Sequence, residues 1–252
     1  MNPASLTRYS GSMSPSAALR PRVLVSGASR GIGRAIALRM AADHHVVEAV
    51  GRSAEALGAL VAEASPGTVR PYPCDLTDPA QTANLVETIT SQGSLRGLVH
   101  CAATVTRGRI EEMDSDALMA AFDQNVATAY RLTRGLLPVL GRGSTVVFLN
   151  SSQGRFAAAG SSHYAASKHA LAGLADSLRG EVNERGIRVT TVYAGRVATP
   201  TQARLYAEAA IDYHPELLLQ PESVAEVVVN VCALPDTAEV TDLSIRPAIK
   251  SY

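Results

Sequence analysis

Two residues whose types and spacing are suited to chemistry lie in the segment Tyr164-Ala165-Ala166-Ser167-Lys168. The chain carries 23 basic residues, and Lys168 and Lys250 are its only lysines. Arginine therefore serves for ordinary surface charge, and an interior lysine needs a reason that arginine does not satisfy. A compact ammonium on a flexible stem approaches a phenol closely and donates to two neighbouring hydroxyls. Residues four apart on a helix share a face, so phenol and ammonium are expected on one side. The cation is then expected to pull the phenol down from its usual ~10 toward neutrality. Such a phenol is a general acid for an alkoxide forming from a carbonyl. The same spacing also describes a solvated pair on a helix surface, so the other residues must decide.

The elements that would position this pair follow from hydropathy. Short β-branched runs at Arg22–Ser26, His45–Val50, Val69–Tyr72, Gly97–Cys101, Thr145–Leu149, Arg188–Tyr193 and Thr241–Ile245 read as strands. Amphipathic stretches between them read as helices: Gly33–Ala42, Ala54–Ala64, Pro79–Ser91, Ser115–Leu140, Ser162–Arg185 and Pro221–Ala233. Near-continuous apolar strands alternating with helices imply an α/β fold, with a mainly parallel seven-stranded sheet covered on both faces. Right-handed crossovers make it a doubly wound Rossmann-type sandwich, whose ligands sit at the carboxyl ends of the strands. Residues 21–252 show no linker or repeat and read as a single domain. The first twenty residues hold five serines and no acid, and are expected to be a disordered extension; an organelle leader is the alternative.

Composition narrows the function. With 252 residues and 46% apolar content the chain has ample material for a core. A formal net charge of zero without a basic block argues against nucleic acid and anionic membrane as partners. No apolar run approaches the ~18 residues of a membrane span. Cys74, Cys101 and Cys232 lack metal-ligand spacing and read as buried thiols of a cytoplasmic protein.

After the first strand comes Ser26-Gly27-Ala28-Ser29-Arg30-Gly31-Ile32-Gly33, followed directly by a helix. Glycines give the backbone its unusual angles there, and the helix N-terminus offers N–H groups to a pyrophosphate. No Gly-Lys-Ser/Thr follows, so this is not a P-loop. NAD sites place an acid at the end of the second strand, but here Gly51 stands there, followed by Arg52 and Ser53, with Glu48 too early along the strand. Arg30 and Arg52 suit forked binding of a ribose phosphate, which favours NADP(H). Asp75, beside Leu76 after the third strand, is either an acceptor for the adenine amine or a turn and N-cap residue.

Taken in order, Gly27-xxx-Gly31-x-Gly33, Asp75, Asn125, Asn150-Ser151-Ser152 and Tyr164-xxx-Lys168 resemble the short-chain dehydrogenase/reductase family in its single-domain form. The resemblance runs from Pro21 to Pro247. It implies that Tyr164 is the proton donor, and that Lys168 binds the nicotinamide ribose and lowers the Tyr164 pKa. It further implies that Ser151 bonds the substrate carbonyl, that Asn125 holds a water linking Lys168 to solvent, and that Thr199 contacts the carboxamide. The cofactor set it implies is Gly27, Ser29, Arg30, Gly31, Ile32, Gly33, Arg52, Ser53, Asp75, Leu76, Tyr164, Lys168, Gly195, Val197 and Thr199. Two segments depart from the family pattern. His100-Cys101-Ala102-Ala103 stands where Asn-Asn-Ala-Gly is usual, and Ala194-Gly195 replaces Pro-Gly. A buried structural role is expected for His100.

The reaction implied is hydride transfer between NADP(H) and a carbonyl or alcohol. Imine reduction or isomerisation on the same residues, or cofactor sensing without turnover, are the alternatives. Substrate choice is expected to depend on the loop after the fifth strand, with Gln153, Arg155, Phe156 and His163, and on a mobile helical lid over Thr199–Gln220, with Arg204, Tyr206, Tyr213 and His214. Each of these side chains reads equally well as solvated. Family members pair through their two long helices, so a homodimer or homotetramer is expected.

Overall fold

The computed structural model describes residues 20–249, so the serine-rich leader lies outside the described residues except for Arg20. Strands and helices alternate as β1 (Arg22–Ser26), α1 (Gly31–Ala42), β2 (Val46–Gly51), α2 (Ala54–Glu63), β3 (Val69–Pro73), α3 (Pro79–Ser91) and β4 (Leu95–His100). The second half runs α4 (Ser115–Phe122), α5 (Thr128–Leu136), β5 (Leu140–Ser151), α6 (Ser162–Val182), β6 (Arg188–Ala194), α7 (Pro200–Glu208), α8 (Pro221–Cys232) and β7 (Asp242–Ile245). The sheet order is β3-β2-β1-β4-β5-β6-β7, and every pair is parallel. Growth of the sheet reverses between β1 and β4, which opens a crevice at their carboxyl ends.

Period-two alternation builds a core on each face. Val25, Val47, Val99, Val147 and Val192 point to one side, where Ile36 and Met40 of α1, Leu57 and Leu60 of α2, and Val224 and Val228 of α8 cover them. Their strand neighbours Leu24, Leu98, Phe148 and Val189 point to the other, against Leu85 and Ile89 of α3, Leu132 and Leu136 of α5, and Leu171 and Leu178 of α6. Each fully buried side chain of this size contributes roughly 1.5–3 kcal/mol.

Most boundaries fall within three residues of the expectation, and the larger differences are in the fourth helix and the fifth strand. The helix expected over Ser115–Leu140 is interrupted by a π-turn at Asp123–Ala127 and ends in a 3-10 turn at Leu137–Val139. Pro138 cannot extend the α-helical ladder, which explains the second change. At the first, the widened turn seats the buried Asn125, whose amide bonds both backbone groups of Thr104. The fifth strand begins at Leu140 rather than Thr145, across a register shift against β4 between Leu95 and Gly97.

Candidate active site

A cleft of about 530 Å³ runs along the carboxyl ends of the strands, from the glycine turn to the start of α6. Gly27, Ser29, Arg30, Gly31, Ile32 and Gly33 form one end. Gly27 has a φ of +68°, and a Cβ there would lie 2.8 Å from the Ala102 nitrogen. A Cβ on Gly33 would strike the carbonyl oxygen of Gly27. Neither position admits a side chain, because the chain's own backbone fills that space, and both residues line the cleft. No side chain caps the N-terminus of α1, so its N–H groups face the cleft with the dipole behind them. These features fit a pyrophosphate.

At the next strand end stands Gly51, so the acid that an NAD site uses is missing, and a Cβ there would sit a tight 3.1 Å from that of Ser29. Glu48 is buried and engaged with Arg22 at 2.8 Å. Arg30 and Arg52 are exposed on the cleft wall, and Arg52 reaches far enough to help hold the Asp75 carboxyl low. Larger causes of that lowering are the two bonds that Asp75 Oδ1 accepts from Thr77, from its hydroxyl at 2.8 Å and its N–H at 3.0 Å. Asp75 is therefore a turn residue that also lines the cleft beside Leu76, while Asp78 is the N-cap of α3. Ser53 caps α2 through Ala56 N–H and stands outside the cleft lining. The reason is local: a hydroxyl one residue before a helix serves its orphan donors.

At the other end, β5 delivers Ser151 and α6 delivers Tyr164 to the same wall. The Ser151 hydroxyl accepts from Gln153 N–H at 3.2 Å and stands close enough to the Tyr164 phenol to favour its ionised form. Lys168 is buried one turn further along α6, behind Tyr164 rather than on the cleft surface. Its ammonium donates to the Leu149 carbonyl at 3.1 Å and lies 5.9 Å from the centroid of the Tyr164 ring. Burial lowers the Lys168 pKa to about 8. Burial also raises that of Tyr164, against the nearby Ser151 hydroxyl and the positive field of Arg107. The expected lowering of the phenol by Lys168 is thus not met: desolvation dominates, and the influences that oppose it are those of Ser151 and Arg107. Asn125 supports this cluster from behind, donating to Ser167 Oγ at 3.0 Å, which itself donates to the Tyr164 carbonyl at 2.7 Å.

Gly195, Val197 and Thr199 line the same cleft, with the Thr199 methyl packed beside Gly31, and Thr199 also caps α7 through Gln202 N–H. His100 is buried and stacked on Phe148, with Nε2 2.9 Å from Thr133 Oγ1; burial drives its pKa down to about 3. It is a neutral packing residue, as its sequence context suggests. Cys101 lines the cleft as a thiol held neutral, its pKa pushed up to about 12 by burial.

The expected substrate contacts divide. Gln153 lines the cleft, whereas Arg155 lies over the Tyr193 ring at 4.0 Å and Phe156 is 78% exposed. His163 is buried against Thr106. Tyr206 and His214 line a second cavity of about 330 Å³ beneath α7. Tyr213 stands edge-on to Tyr206, and Arg204 is tied to Glu208 and the Val105 carbonyl. Sequence reasoning missed Arg107 and Arg196, which line both cavities. Arg196 offered a signal, lying two residues past the carboxyl end of β6, whereas Arg107 lies seven residues past that of β4.

The family model for short chain dehydrogenases matches residues 21–210. This chain belongs to that family. Human dehydrogenase/reductase SDR family member 11 is 30% identical over 243 residues, covering 89% of this chain and 93% of that protein. The 3-oxoacyl-(acyl-carrier-protein) reductase FabG of Thermotoga maritima is 30% identical over 214 residues, covering 81% and 87%. A short chain dehydrogenase from Burkholderia cenocepacia, solved in complex with NADP, is 32% identical with a TM-score of 0.80, covering 89% and 96%. This short-chain dehydrogenase is accordingly an oxidoreductase of a family that uses nicotinamide cofactors on small molecules. Among its described residues no helix is long and apolar enough to cross a membrane.

Proposed function

We propose that this short-chain dehydrogenase interconverts a ketone or aldehyde and its alcohol with NADP(H), using Tyr164 as general acid and base. The observation that carries this reading is that Ser151 and Tyr164 share the wall of the glycine-lined cleft. Bound in that cleft, the nicotinamide supplies or accepts the hydride. The protein's own residues do the rest. Ser151 and Tyr164 line the same wall, so both hydroxyls are available to a carbonyl oxygen as it gathers negative charge. Because burial keeps the phenol protonated at neutral pH, Oη holds a proton ready for that oxygen, and takes it back in the oxidative direction. Lys168 uses one N–H on Leu149; its other two suit the nicotinamide ribose hydroxyls. Asn125 and Ser167 fix the backbone that carries Tyr164.

The nucleotide preference rests on Gly51, Arg30 and Arg52. A 2′-phosphate beside two guanidiniums gains charge-assisted, forked hydrogen bonds, whereas a free 2′-hydroxyl finds no carboxylate there. The family likeness to a protein solved with NADP supports this assignment.

Replacing Tyr164 by Phe removes the proton and keeps the ring. Turnover with a ketone panel and NADPH is expected to fall by at least ~100-fold, with NADPH affinity close to unchanged. Equal turnover by Tyr164→Phe would overturn the assignment.

A further inference from the structure

Arg107 is held in place by a loop with no regular structure. Between β4 and α4, Thr104 is bonded through N–H and C=O to the Asn125 amide at 2.8 and 3.1 Å. The Val105 carbonyl accepts from Arg204 of α7 at 2.9 Å. Thr106 Oγ1 lies 2.7 Å from His163 Nε2 at the start of α6, and Gly108 N–H donates to the Gly160 carbonyl at 3.0 Å. Every neighbour of Arg107 is thus anchored. The Arg107 guanidinium itself makes no hydrogen bond or ion pair among the described residues. A long side chain kept for solubility needs no such scaffold.

Its position matters as much as its freedom. Arg107 stands where the main cleft meets the cavity beneath α7, close enough for its field to act on the Tyr164 phenol. Arg196 borders the same junction from the β6 side, with Nη1 3.3 Å from the Tyr206 hydroxyl. The second cavity carries one carboxylate, Asp212, against these two guanidiniums, and its other walls include Leu205, Ile211 and Leu218. Arg30 and Arg52 occupy the far end of the cleft, so the cofactor's phosphates have their own cations.

We propose that Arg107, with Arg196 beside it, binds an anionic group on the carbonyl substrate, so that the enzyme acts on keto acids or keto phosphates in preference to neutral ketones. This rests on the oxidoreductase reading above and adds a substrate class to it. Carboxylate and phosphate share the forked acceptor geometry that guanidinium recognises. A charge-assisted bond of this type is worth on the order of 10- to 100-fold in kcat/KM.

The test uses the full chain loaded with NADPH and two matched pairs: benzoylformate against its methyl ester, and hydroxyacetone phosphate against hydroxyacetone. Rates are read alongside the rise in unfolding temperature that each compound produces, a binding signal that does not need turnover. The anion of at least one pair is expected to lead by ~10- to 100-fold, mainly through KM, and the leading pair tells carboxylate from phosphate. Arg107→Gln is expected to bring the members of that pair within about threefold of each other, and Arg107→Lys to keep part of the gap. Neutral members reduced as well as the anions, or an anion preference that survives in Arg107→Gln, overturns the proposal. If nothing is turned over, the oxidoreductase reading fails instead. An anion-dependent temperature rise that Arg107→Gln abolishes would then still support the anion site, and no rise with either anion would overturn it.

Discussion

Lys168 is a charged group stored in the interior, and Lys168→Met exposes its cost. Burial lowers its pKa to about 8, whereas an unfolded chain's lysine titrates near ~10.4. Between those values the unfolded chain binds more protons than the native one, so stability rises with pH across that window. The full gap, at ~1.4 kcal/mol per pH unit, is about 3 kcal/mol of penalty that is complete below pH 8 and relieved by about pH 10.5. Methionine fills similar space without charge, so the variant escapes the penalty but loses the bond to the Leu149 carbonyl, worth ~1.5–3 kcal/mol. The two nearly offset at neutral pH. The pH dependence separates them: cofactor-free wild type should gain about 3 kcal/mol on the variant between roughly pH 7 and pH 10.5. Urea unfolding of both proteins at several pH values measures that difference directly, and other alkaline groups cancel in the subtraction. Parallel stability curves over this range would refute the idea that the active-site ammonium is held at the expense of the fold.

Other outcomes follow from the cofactor end of the cleft. Gly33→Ala pushes a methyl into the Gly27 carbonyl, where only backbone is available to yield, and should cost ~1–3 kcal/mol with a weakened hold on nucleotide. Gly58→Ala in α2 meets open space and should instead stabilise by ~0.5–1 kcal/mol; thermal melts showing the same sign for both would contradict the packing described. Arg30→Gln and Arg52→Gln should each weaken NADPH binding by ~10- to 100-fold and leave NADH affinity nearly as it was. Equal losses for both nucleotides, by fluorescence titration, would remove the phosphate role.

Much of the scaffold was legible because buried parallel strands write themselves as β-branched runs, and α3 occupies the expected residues Pro79–Ser91. The start of β5 was hidden because Gly141, Arg142 and Gly143 break the apolar pattern there, although the strand is already under way at Leu140. The break at Asp123–Ala127 left no trace, since helical periodicity continues across it. In the site, the family resemblance pointed to Ser151 and Tyr164, which line one cleft, but solvation is not written in a motif. The phenol rises where a lysine nearby suggested that it should fall. Arg155 and Arg107 illustrate the other gap. Both follow strands, yet one folds back onto Tyr193 and the other faces the cleft, a difference set by loop contacts that no local pattern encodes.

The π-turn at Asp123–Ala127 has a consequence for the helices it joins. One added residue in a helix swings everything downstream by about 100°. Asn125 faces Thr104 and Ser167, while Ala129, Leu132 and Leu136 face the sheet. Deleting a single residue from that turn would put the two demands out of phase. The chain would then seat either its polar anchor or its oily seam, never both, so this short stretch should tolerate substitution far better than any change in length.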